Sequence, residues 1–221
     1  MKPAVFLLVH SGASSYLNRN WPYFKAACVD LFGVTRLDTS ITFPEPIPTK
    51  AIGNEEYIGA ENQCRRIIDT FKWFNEDPQF RDHTHAWIMQ ADSLLLGELP
   101  TIESHLAGLL NGGGRPDMKA SCFYHPPWVA SHTGAGVFII CGERLLAEGS
   151  SELGIPDYFF AHVCETACVK VECIQGALSV NGGTLMIEHV EHNKEQIKAG
   201  AWYVHSVKTR KELDWVLALS P

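Results

Sequence analysis

The sequence predicts an α/β fold in which a mixed, mostly parallel central sheet is flanked by helices. Three observations predict it. Almost wholly apolar runs at residues 4–9 and 85–90 read as strands covered on both faces, the habit of strands inside a parallel sheet. Segments of helical period lie between such runs, as crossover connections require. With 221 residues, 46% apolar and 10% aromatic, the chain carries enough apolar surface for one core.

The elements follow in order. Residues 4–9 form the first strand, which runs into the polar loop His10-Ser11-Gly12. A helix is predicted over 20–31, with Pro22 near its start, where a missing N–H is tolerated. Residues 34–37 make a second strand ending at Asp38-Thr39. Residues 43–48 hold three prolines and read as a loop. The clearest helix spans 61–75, because Cys64, Ile67, Ile68, Phe71 and Phe74 recur on one face. Residues 85–90 read as a buried central strand that stops at Ala91-Asp92-Ser93.

Beyond it, a helix is predicted over 99–110 and a loop over 111–116. The chain from 121 to 140 reads as extended, interrupted at Pro126-Pro127 and Gly134-Ala135-Gly136. Helices are expected over 142–148 and 157–166, a strand over 169–173, a polar helix over 184–198, a strand over 202–205 and a closing helix over 208–217. Residues 1–221 read as one domain, with a nucleotide-binding half to about residue 95 and a more irregular half after it.

Charge narrows the partners. Eighteen basic against 25 acidic residues give a net charge of −7, which argues against a protein built to neutralise nucleic-acid phosphates. A phosphorylated small molecule stays compatible, since a bound cation can supply the positive charge. The seven cysteines are odd in number and show no CxxC spacing, so reduced thiols and a reducing compartment are expected. Cys164-x3-Cys168-x4-Cys173 is the densest run. The first apolar run is too short for a secretion signal, and no segment reaches the length of a membrane span. A soluble, cytoplasmic chain, whole or a module of a larger enzyme, is the expectation.

A buried strand that delivers Asp92 at its carboxyl end is the informative motif, because open α/β sheets bind ligands along that edge. A carboxylate there suits a hard divalent cation holding a diphosphate, or simply caps the turn. The ends of the first two strands (His10, Ser11, Asp38, Thr39) lie where a base and ribose would sit. Arg65 and Arg66 either reach such a ligand or are ordinary surface arginines. Gly134 and Gly136 permit close backbone approach to a sugar or mark a turn, with Trp128 and His132 as candidate sugar contacts. His83-x-His85 and His189-x-x-His192 are possible metal pairs. Gly134-Ala135-Gly136 lacks the third glycine of a dinucleotide fingerprint, and Asn111-Gly-Gly-Gly114 lacks the Lys of a P-loop.

Gln90-Ala91-Asp92-Ser93-Leu94 resembles the segment around the DxD motif of GT-A-fold glycosyltransferases, of the fringe and core-1 β1,3-galactosyltransferase type. Residues 129–146 resemble that group's Gly-rich stretch, a turn followed by a strand and a helix. Ile155-Pro156-Asp157 is similar to the place of its acidic residue ahead of a helix. Trp202-Tyr-Val-His205-Ser-Val-Lys208 is similar to its C-terminal strand, whose His completes the metal site. The resemblance implies a GT-A (Rossmann-like) fold and transfer of a sugar from a nucleotide diphosphate donor, a UDP-sugar, to a glycan acceptor. It further implies Mn²⁺ or Mg²⁺ held by Asp92 and His205, a donor site that includes Ala91, Asp92 and Ser93, and Asp157 as the base of an inverting reaction. Lys208 would be a phosphate contact, or a solvated lysine. Only one acid, Asp92, stands where the family carries two or three, so a silent nucleotide-sugar-binding domain is the alternative. A metal-dependent hydrolase using the His pairs is a further one.

Overall fold

The computed structural model describes residues 2–10, 12–27, 30–36, 41–53, 60–102, 108–112, 124–148, 156–168, 171–179 and 187–221. Strand β1 (Pro3–Leu8) is followed by helix α1 (Ser14–Ala27), β2 (Leu31–Thr35), β3 (Thr49–Ala51) and helix α2 (Ala60–Glu76). Then come β4 (His85–Gln90), the short β5 (Leu94–Leu95), β6 (Gly108–Gly112) and β7 (Tyr124–Ser131). Helices α3 (His132–Ala147) and α4 (Pro156–Thr166), strands β8 (Val171–Cys173) and β9 (Ala177–Ser179), helix α5 (Ile187–Lys198), β10 (Tyr203–His205) and helix α6 (Arg210–Leu219) complete the order.

Among the described residues the main sheet has the order β3-β2-β1-β4-β7-β6-β8, and a small sheet has the order β5-β10-β9. β3, β2, β1 and β4 are parallel, β7 runs against both β4 and β6, and β8 is parallel to β6. The sheet is therefore mixed and mostly parallel, as expected. β1 is apolar throughout because both of its faces are covered. Ala4, Phe6 and Leu8 meet α2, α3 and α4 in one cluster. Val5, Leu7 and Val9 meet α1 through Leu17, Trp21 and Phe24 in the other. The predicted apolar face of α2 is buried in full at Cys64, Ile67, Ile68, Phe71 and Phe74. A third cluster joins Leu94 and Val204 to Ile197 of α5 and to Leu213 and Val216 of α6.

Parallel strands place their carboxyl ends on one edge. Val9-His10, Arg36 and Ala91-Asp92 thus gather at that edge, while Pro3, Leu31 and His85 mark the other. β7 is reversed, so its carboxyl end lies at the far edge, with Ser131 opposite His85.

Several predicted elements are corrected. The first helix starts at Ser14 rather than at 20, which puts Pro22 inside it. Of the helix expected over 99–110, the described residues show none: 98–102 are irregular, and Gly108–Gly112 is a strand. Leu99, Ile102, Leu106, Leu109 and Leu110 do fit a helical spacing, but pairing with β7 and β8 overrides it. The extended run from 121 ends at Ser131, whose Oγ accepts the Gly134 N–H at 3.2 Å and caps α3. The β-branched residues that suggested a strand there belong to a helix lying on α2. Gly142 permits that approach, since a Cβ on it would stand 2.7 Å from Ile68 Cδ1.

Candidate functional site

The turn after β4 is tied to the segment after β10 by its backbone. Ala91 N–H donates to Leu8 O at 3.1 Å, and Val207 N–H donates to Asp92 O at 2.6 Å. The first bond holds the turn against β1, and the second brings the two halves of the chain together at the carboxyl edge of the sheet. Asp92 is 4% exposed there. Its Oδ2 accepts from Ser206 Oγ at 2.6 Å and lies 3.3 Å from Lys208 Nζ. Its Oδ1 lies 3.3 Å from His205 Nε2. Burial alone would raise the carboxyl, but His205, the Ser206 hydroxyl and Lys208 outweigh burial and hold it well below the ordinary carboxylate range. His205 Nε2 also lies 3.0 Å from Gln90 Oε1. A ring nitrogen facing two acceptors carries a proton.

Beneath this pair sits Asn20 of α1, fully buried. Its Nδ2 donates to Ser93 O and to Val207 O, both at 3.1 Å. The Ser93 hydroxyl is 2.7 Å from the buried Tyr203 hydroxyl. One turn earlier on α1, Tyr16 meets His10. Gly12 N–H donates to His10 Nδ1 at 3.2 Å, so the ring proton resides on Nε2, which donates to the Tyr16 oxygen at 2.5 Å. Crowding of the imidazole lowers the His10 pKa. Asp92 opposes that shift, and Arg66, Lys208 and Arg36 add to it. Burial, followed by the field of Asp92, pushes the Tyr16 hydroxyl up.

Basic groups extend the edge. Arg66 is 5% exposed. Its Nη2 donates to Val9 O at 2.6 Å and also to Val34 O, so the guanidinium covers the ends of β1 and β2. Beside it, Arg36, Arg65 and Arg66 line a small cleft of about 100 Å³ together with Asn62 and Asp69. A net-acidic protein therefore places Arg36, Arg66, His205 and Lys208 along the carboxyl edge of the sheet, with Arg65 on the rim of the cleft.

The structure brings together His10, Arg66, Ala91, Asp92, Ser93, His205 and Lys208 of the predicted residues, with Arg65 on the rim of the cleft. It does not bring Gly134 and Gly136 to them. Both glycines lie in the first turns of α3, at the opposite edge of the sheet, about 20 Å away along β4. The reversed direction of β7 sets them there, away from the residues gathered around Asp92. His132 is placed there too: its ring stacks on Phe74 at 4.0 Å, and its nitrogens lie 3.0 Å from Asn75 Oδ1 and from His83 O. Trp128 is 1% exposed and packs on Phe160, so it offers no platform for a sugar. His83 is a core histidine, edge-on to Phe32 and Phe80 and 3.2 Å from Asp30 Oδ2. Ser11, Asp38 and Thr39 lie outside the described residues, as do the side chains of Asp157, His189 and His192.

Four contributors were missed from sequence: Tyr16, Asn20, Gln90 and Ser206. Two had a signal. Tyr16 and Asn20 are polar groups at i and i+4 on the helix face that also carries Leu17, Trp21 and Phe24. Gln90 is the polar end of an apolar strand, and Ser206 adjoins His205.

Among the described residues, no group of three or more His, Cys, Asp or Glu side chains stands ready for a metal ion, and no helix is long and apolar enough to cross a membrane. No protein-family model matches the chain, and no curated protein matches it either.

Proposed function

We propose that the chain is a GT-A-like glycosyltransferase that moves a sugar from a UDP-linked donor to a hydroxyl of a glycan acceptor, with inversion. One observation carries the reading: Asp92 and His205, from opposite halves of the sequence, meet 3.3 Å apart at the carboxyl edge of parallel strands, next to Lys208 and the arginine-lined cleft. The resemblance assigned these two residues to a metal from sequence alone.

The donor set fits Mn²⁺ or Mg²⁺. A carboxylate oxygen, an imidazole nitrogen and the Gln90 amide oxygen face one another, and that hard, mixed O/N set suits Mn²⁺. With the ring proton on Nδ1, His205 would present Nε2 as a ligand. When bound, the ion would neutralise charge on the donor diphosphate. The chain's own residues do the rest. Lys208, whose side chain is 48% exposed, can turn from Asp92 to a phosphate. Arg36 and Arg65 border the small cleft that the nucleoside would lie against, and Tyr16, whose oxygen accepts from His10 Nε2, keeps its own hydroxyl proton to donate on the α1 side. Asp157, in the first turn of α4, would accept the proton of the acceptor hydroxyl as that oxygen attacks the anomeric carbon.

A nucleotide-sugar-binding domain without turnover is the second reading, favoured by the Lys208 ammonium beside Asp92 Oδ2, which can stand in for a cation. Calorimetry with UDP, with and without Mn²⁺, followed by a donor screen over UDP-, GDP- and dTDP-sugars, separates the two. Metal-dependent UDP binding with turnover that Asp157→Asn abolishes supports the transferase. UDP binding indifferent to Mn²⁺ and without turnover supports the second reading, and no UDP binding sinks both.

A further inference from the structure

Asn20 makes no contact that its own helix needs. It is fully buried, and both hydrogen bonds of its Nδ2 leave α1, one to the carbonyl of Ser93 and one to the carbonyl of Val207. Those carbonyls belong to the residue after Asp92 and the residue between Ser206 and Lys208. Its Oδ1 has no hydrogen-bond partner among the described residues, so the amide is kept for its two donors at the cost of an unsatisfied acceptor. The other links between the two segments, Val207 N–H to Asp92 O and Ser206 Oγ to Asp92 Oδ2, run directly across the joint. Only Asn20, among the described side chains that contact both segments, reaches them from a third element.

We infer that Asn20 is a positioning residue: it clamps the Asp92-Ser93 turn to the Ser206-Val207 segment and so sets the spacing of Asp92 from His205. Two carbonyls that point at the same buried spot repel unless a two-proton donor lies between them, and an asparagine NH₂ supplies both protons from one atom. Without it the two segments are held by the direct bonds alone, two buried carbonyls lose their donor, and the contact of His205 Nε2 with Asp92 Oδ1 and Gln90 Oε1 loosens. The clamp itself is independent of function, whereas its consequence for metal and nucleotide rests on the glycosyltransferase reading.

The test compares wild type with Asn20→Leu, which keeps the branching at Cγ and removes both donors, and with Asn20→Ser, which keeps one donor should the bulkier leucine variant not fold. Long-range ¹H–¹⁵N spectra at pH 8 read the His205 imidazole directly. The wild type is expected to show the proton on Nε2, and the variants a mixture of tautomers. In Mn²⁺–UDP calorimetry the variants are expected to lose about 10- to 100-fold in affinity, the usual penalty for removing a group that orients metal ligands. A folded variant with the wild-type imidazole spectrum overturns the inference. Wild-type protein that binds no Mn²⁺–UDP overturns the glycosyltransferase reading instead and leaves the imidazole comparison to decide on Asn20.

Discussion

Replacing Asp92 by asparagine removes a buried charge and almost nothing else, so it isolates what that charge contributes. The amide oxygen can still accept from Ser206 Oγ, which keeps the 2.6 Å contact. The NH₂ group then takes the place of Oδ1 and faces His205 Nε2, while Lys208 Nζ meets a neutral amide oxygen in place of a carboxylate, so the first contact becomes repulsive and the second loses its charge. The Lys208 pair has a half-exposed partner and is worth at most about 1 kcal/mol. The His205 contact, with a 14% exposed partner, is a hydrogen bond to a charged acceptor worth about 1.5–3 kcal/mol. Relief from burying a carboxylate offsets part of this, so a net loss of about 1–3 kcal/mol at pH 7 is expected. The sign with pH follows from the depressed carboxyl. Its stabilisation is complete above the unfolded value of about 3.9 and is lost as pH falls through that value toward the folded one. Urea unfolding of both proteins at pH 7, 5, 4 and 3 measures this. The gap should hold from pH 7 to 5 and shrink below 4. A variant as stable as the wild type at pH 7, or a gap unchanged at pH 3, would refute the account of Asp92 as a charge stabilised by its neighbours.

Three further outcomes are expected. Arg66→Met leaves the Val9 and Val34 carbonyls without their buried guanidinium and should cost about 2–4 kcal/mol in urea unfolding, with Arg66→Lys falling between it and wild type. Gly33→Ala would place a Cβ 2.4 Å from the Phe43 ring and 2.8 Å from Thr49 Oγ1, an overpacking cost of about 1–3 kcal/mol seen as a lower urea midpoint at unchanged slope. His10 has a lowered pKa in the fold, so the unfolded chain takes up its proton first. Stability should therefore fall as pH drops through about 6.5, and His10→Gln should remove that part of the slope.

How much of this was legible in the sequence depended on how local the signal was. β1, β4 and α2 were read nearly to their ends because each shows its burial pattern within its own residues: continuous for the two strands, three-and-four spaced for the helix. The Asp92–His205 meeting was legible too, though only through a resemblance. Composition carries no trace that β5 and β10 pair. What failed was non-local. The reversal of β7 carries no mark in its own residues, yet it moves Gly134, Gly136, His132 and Trp128 away from the site. Residues 99–110 have helical spacing, but Leu109 and Leu110 pair with strands on both sides. Asn20 looked like the start of a helix, when it lies in the middle of one and is aimed at segments 73 and 187 residues away.

The −7 charge of the chain and the basic character of its sheet edge stand in apparent conflict, and the fold accounts for it. Parallel strands end in carbonyls that point outward at their carboxyl edge, and each unpaired one needs a donor. Arg66 meets that need at β1 and β2 with a guanidinium rather than a neutral group, and Asn20 meets it for the two turns beside β4. A buried guanidinium is costly to hold unless something negative can share the edge. Among the residues around Asp92, that carboxylate is already engaged by His205, Ser206 and Lys208. The basic side chains Arg66 and Lys208 therefore serve this edge's own backbone and its own carboxylate, which is how a chain of net charge −7 comes to carry them there.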